Sequence, residues 1–294
     1  TLGSITLDYL EDVSGTLMLP NARFETFGET APQIEIINKV QLSKIETAED
    51  LSNVNFVITS LTNNKFPEIM FKNIKDFTCK PTTNNPDYTI STIQHVHGNL
   101  YVTGQMRSKA KFPDLEIVDG YGYIQMPMMG TVSMPVLKEV GGQFYLSGNL
   151  TSCELPLLSK ICCSASPVYY KEGKGSLAMT LQSKSLNLPE LLHVGGEGLF
   201  VNQATGITCA KLQTIDGTLQ IKQAKSLSQE TFSMEKLKTL HGVVFDGLTK
   251  FTDYTFFGKF IENGMITEES WSVTKCGYNP TFQKMRDKQY TQQD

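Results

Sequence analysis

Residues 134–149 read "MPVLKEVGGQFYLSGN", and the pattern returns at 188–202 as "LPELLHVGGEGLFVN". The pair Leu137 and Val140 has further copies in Leu115 and Val118, Ile93 and Val96, Leu191 and Val194, Leu212 and Ile215, and Leu237 and Leu240. Weaker copies are Leu10 and Val13, Leu51 and Val54, and Phe71 and Ile74. A spacing of about 21 to 25 residues is that of a solenoid, in which each repeat is one coil. After most of these pairs comes a glycine or small polar turn, then an alternating triplet: Leu100-Tyr101-Val102, Gly122-Tyr123-Ile124, Phe144-Tyr145-Leu146, Leu177-Ala178-Met179, Leu199-Phe200-Val201, Leu219-Gln220-Ile221. Leu17-Met18-Leu19, Phe56-Val57-Ile58 and Phe77-Thr78-Cys79 are earlier echoes.

A three-residue strand points its first and third side chains one way and its middle one the other. Alone it has no stability. Stacked in parallel about 4.8 Å from its neighbours, it contributes to a ladder of like residues that forms the core by repetition. Gly141-Gly142, Gly195-Gly196 and the single Gly98, Gly120 and Gly217 are expected to supply a φ > 0 bend before the strand. Pro113, Pro135, Pro156 and Pro189 recur where the coil turns its corner and needs no backbone donor.

The expected architecture is therefore mainly β: a right-handed parallel solenoid of leucine-rich-repeat or β-helix type with about ten coils. It occupies residues 1–249, irregular over 20–50, where "QIEII" (33–37) is a degenerate coil or part of an N-terminal cap. The segment 164–175, "SASPVYYKEGKG", exceeds the repeat and reads as an insertion loop. Residues 250–294 lose the period. There "FTDYTFFGKF" and "SWSV" read as a β-rich cap plugged by Trp271, and Asn279 with Pro280 opens a short closing helix.

The repeat unit resembles leucine-rich-repeat relatives of receptor L domains, and "GYNPTFQKMRDKQY" (277–290) is similar to the tail of surface-exposed leucine-rich-repeat proteins of Bacteroidetes. The resemblance implies a non-catalytic binding or adhesion role in the cell envelope, at the outer surface or in the periplasm. It also implies a lipid anchor on a cysteine upstream of Thr1.

Composition narrows the function classes. With 294 residues, 40% apolar, a formal charge of -4 and no Lys/Arg block, the chain lacks the clustered basic footprint that nucleic acid requires. No apolar run is long enough to cross a bilayer. The six cysteines form no CxxC pair, and Cys162-Cys163 read as small buried hydrophobes. His95-Val96-His97 is the single close histidine pair, and alternation puts both rings on one face, as a metal site would want. No third ligand is visible beside it and His193 lies several coils away, so no metal and no cofactor are expected.

The informative positions are the outward middle residues of the triplets. In order they are Met18, Val57, Thr78, Tyr101, Tyr123, Tyr145, Ala178, Phe200, Gln220 and Phe245. Tyr101, Tyr123 and Tyr145 stand together, with Phe200 farther along, Tyr121 at the flank, and Tyr169 and Tyr170 on the insertion. Such an aromatic file suits stacking against sugar rings or anchoring a protein, and equally serves as a cross-strand ladder that only stabilises the sheet. The expected partner is a protein or carbohydrate ligand. A solenoid polysaccharide hydrolase or lyase, and a purely structural envelope component, are the alternatives. No GxSxG, HExxH or phosphate-cradling loop occurs.

Overall fold

The computed structural model describes residues 72–80, 87–104, 109–161, 177–181 and 184–292. Ahead of these it gives strands at Leu17–Leu19, Ala22–Phe24, Gln33–Ile36, Val40–Leu42, Lys44–Thr47, Asp50–Ile58 and Glu68–Ile69. The insertion, with Tyr169, Tyr170, Cys162 and Cys163, lies outside the described residues, as do Leu10, Val13 and Phe71.

The fold is a parallel β-solenoid. Its principal sheet has 18 strands, and successive coils pair in parallel and in register: Gly122–Ser133 lies on Phe144–Glu154, with Tyr123 opposite Tyr145 and Val132 opposite Cys153. The first and third triplet positions point inward. Leu100, Val102, Ile124, Phe144, Leu146, Leu199, Val201, Leu219 and Ile221 are all fully buried, each resting on its counterpart in the next coil. The preceding pair forms a second ladder, in which Val96, Val118, Val140, Ile161, Val194, Ile215 and Leu240 follow one another. Each prolyl corner is a β-turn with proline at its second position. The Leu137 amide donates to Met134 O at 3.3 Å across Pro135, and Leu191 does the same to Leu188 O at 3.3 Å across Pro189.

Of the two readings of the stretch beginning at Gln33, the pairing favours the coil, since Gln33–Ile36 forms a rung on Asn55–Ile58. Other expectations are corrected. Met18 is not in the file, because Leu17–Leu19 pairs with Val40–Leu42 in a separate two-stranded sheet. Leu51 falls opposite Ile74, so it belongs to the Val140 column and not to that of Leu137. At the far end Val244, opposite Gln220, holds the outward place given to Phe245, which is buried opposite Ile221. The solenoid has about six turns where ten were expected. Trp271–Thr274, assigned to the cap, pairs in parallel with Val243–Asp246 as a further rung.

The corner glycines have a different purpose from the one expected. Gly98, Gly120 and Gly142 stack with their backbones bonded, Gly142 N–H to Gly120 O and Gly120 N–H to Gly98 O, both at 2.8 Å, and none of them has a positive φ. A Cβ on Gly142 would meet the Gly120 carbonyl carbon at 2.9 Å. Close approach between coils, not left-handed backbone, excludes a side chain there. Among the glycine-pair positions only Gly196, with φ 59°, uses the left-handed region.

The C-terminal segment is less β-rich than expected. Within and just beyond "FTDYTFFGKF" lies a helix, α1 (Thr255–Glu262), because Phe257, Phe260 and Ile261 recur at helical spacing and bury together against the last coil. The helix ends at Gly264, whose φ of 70° is the left-handed stop that follows many helices. Phe245 meets Phe251 and Phe257 edge to face at 5.5 and 5.4 Å, and the Trp271 indole donates to Pro280 O at 2.9 Å. A second helix, α2 (Phe282–Arg286), is capped by Thr281, whose hydroxyl accepts from the Lys284 amide. Asn279, expected to cap it, instead accepts the Cys276 amide at 2.9 Å.

Candidate functional site

Register alone brings Tyr101, Tyr123 and Tyr145 together. Leu100–Thr103 pairs with Gly122–Gln125 and that strand with Phe144–Ser147, so the three middle residues are direct neighbours. Their rings stack with centroids 4.9 and 5.1 Å apart and interplanar angles of 8° and 12°. Gly122 leaves room for this row's support: a Cβ there would lie 2.6 Å from Phe144 Cδ2, so the Phe144 ring fills the space that a side chain would need.

Face-to-face stacking changes what the row can offer. The faces between the three rings are spent on one another, leaving their edges and hydroxyls as the main exposed parts. At the Tyr101 end the remaining face is taken by Lys80, whose Nζ lies 4.6 Å from the ring centroid in a cation–π contact. The Tyr123 hydroxyl donates to Gln125 Oε1 at 3.1 Å. Partial burial pushes the Tyr123 phenol above its ordinary value, as do the neighbouring phenols of Tyr101 and Tyr145, while the nearby Ser147 hydroxyl pulls the other way. The central hydroxyl therefore stays protonated, a donor as well as an acceptor, through and beyond neutral pH.

Beside the row lies a depression of about 290 Å³, lined by Thr78, Lys80, Tyr101, Tyr121, Tyr123, Gln143 and Tyr145 with the backbone of Gly122 as floor. Tyr121 is placed by its own amide, which donates to Asn99 Oδ1 of the preceding coil at 3.1 Å. The structure thus gathers four of the expected residues. Phe200 is not among them: it is two rungs beyond Tyr145, with buried Ala178 between. Lys80 and Gln143 were missed, although Lys80 directly follows the triplet Phe77-Thr78-Cys79, a place from which a long side chain reaches the next rung.

His95 and His193 share a column four rungs apart, about 19 Å at a strand spacing of 4.8 Å. The free cysteines Cys79 and Cys209 are buried in the core, where burial raises both thiols and keeps them inert. Among the described residues no helix is long and apolar enough to cross a membrane. No protein-family model matches the chain, and no curated protein and no solved structure is similar to it.

Proposed function

We propose that this solenoid is a non-catalytic binding module that takes a glycan or a protein surface along the row Tyr101, Tyr123 and Tyr145. The observation that carries the reading is the stacked phenol row at the edge of a depression whose lining adds an ammonium, an amide and a hydroxyl. Rings locked by stacking lose little freedom on binding, and Tyr combines an apolar edge with a polar tip. Phenol rings about 5 Å apart in a stacked row suit an extended, polyhydroxylated chain better than a single sugar stacked flat, because the ring faces between neighbours are already occupied. Hydrolysis would ask for paired carboxylates at the same place, and the lining of phenols, amide and ammonium supports binding instead.

The repeat's resemblance to leucine-rich-repeat surface proteins of Bacteroidetes supports a place in the cell envelope. The test is binding to an oligosaccharide array and to extracts of host-cell surface proteins, before and after changing Tyr101, Tyr123 and Tyr145 together to Ala. A signal in either arm that falls by tenfold or more supports the reading and tells glycan from protein. A signal that the triple variant retains refutes the row as the site.

A further inference from the structure

We propose that His95, His97 and Asp119 form a binding site for a divalent first-row transition ion of the zinc type, outside the tyrosine row. The two histidines flank Val96, which is buried; His95 lies on the strand His95–Val96 and His97 in the bend directly after it, and both imidazoles face the Asp119 carboxylate on the outside of the coil. The third donor comes from the next coil. The Asp119 amide donates to Val96 O at 2.9 Å, and the Gly120 amide to Gly98 O at 2.8 Å, so the sheet ladder itself sets the carboxylate against the histidine pair.

Asp119 Oδ2 lies 2.9 Å from His95 Nε2 and 3.3 Å from His97 Nδ1, and one ligand atom from each residue falls within 4.8 Å of the other two. Donors about 2.0 to 2.2 Å from a shared ion stand roughly 3 to 3.5 Å apart, so the two carboxylate distances already match ligation. The His95 Nε2 atom is shut off from solvent yet makes no hydrogen bond, because the nearby carboxylate lacks the alignment one needs. A buried ring nitrogen without a partner, beside two further donors, is the arrangement that an ion would complete.

The repeat supplies its own comparison. His193 occupies the His95 column and Asp216 the corresponding corner, and there Nε2 and Oδ2 form an ordinary hydrogen bond at 2.8 Å. Two residues past His193 stands Gly195 where the other coil has His97. With two donors the pair is satisfied by itself; with three it is not.

Two imidazoles and one carboxylate suit Zn²⁺ and its neighbours Co²⁺ and Ni²⁺, and leave coordination positions open to water. The His95 and His97 rings now lie 3.8 Å apart at 30°, so ligation turns the exposed His97 ring out of that stack.

The experiment is titration of chelator-stripped full chain with Co²⁺, followed by its visible absorption and by displacement with Zn²⁺. Expected is one equivalent bound, with affinity reduced roughly tenfold or more in His97→Gln and in Asp119→Asn, the scale known for loss of a merely supporting group. His193→Gln should bind as the parent does. His97 is a surface side chain, and equal unfolding temperatures of parent and variants without metal confirm that the fold is intact. Absence of saturable binding, or binding that survives both ligand variants, overturns the site.

Discussion

A thiol sealed in the core makes a single residue sensitive to alkali. Burial pushes the Cys209 thiol from an ordinary 9.0 up to about 12. Unfolded chains release this proton near pH 9 while the folded chain holds it, so the unfolded state binds fewer protons in between and stability falls as pH rises. The contribution is fully present below pH 9 and declines above it by about 1.4 kcal/mol per pH unit until the folded thiol ionises. Cys209→Ala should flatten the dependence of the urea midpoint over pH 9 to 11 by that one-proton slope; an unchanged slope would refute the assignment. Tyr123, also shifted upward, acts in the same direction from pH 10 on.

At the scale of the element, the corner turn separates two leucines that look alike in sequence. Leu158 closes the turn from Leu155 and is buried, whereas Leu157 beside it is 42% exposed. Leu158→Ala should cost about 2–5 kcal/mol in chemical unfolding, and Leu157→Ala should stay within about 0.5 kcal/mol. These corners, with the triplet ladders, were legible in the sequence because the inner face of each turn must be apolar at the same places as its neighbour's. Phe245 and Met18 were misplaced where the period slips by a residue or the chain leaves the main sheet. The helix over Thr255–Glu262 was hidden because clustered aromatics fit either period, and only the open end of the last coil decides for the helix. The tyrosine row was legible from spacing, but its face-to-face packing was not, since that depends on rotamers. Asp119 escaped notice as a partner of the histidines because it belongs to the following turn, and only the strand register joins them.

For the molecule as a whole, each coil rests only on the coils before and after it, and the ends must be sealed separately. Phe257 seals one end, with Phe245 and Trp271 around it. Phe257→Ala should cost about 3–5 kcal/mol. Its effect should be local: amide hydrogen exchange should quicken in Thr239–Asp246 while Phe144–Glu154 keeps its protection. Uniform acceleration along the chain would instead mark a single cooperative unit.

The 22-residue interval between Tyr101, Tyr123 and Tyr145 means that lengthening is modular. A tandem copy of one middle turn would find its hydrogen-bonding edges already matched above and below, extend the rod by about 4.8 Å, and append a fourth phenol to the row. Gene duplication within this chain is thus a route to a longer docking strip without a new fold.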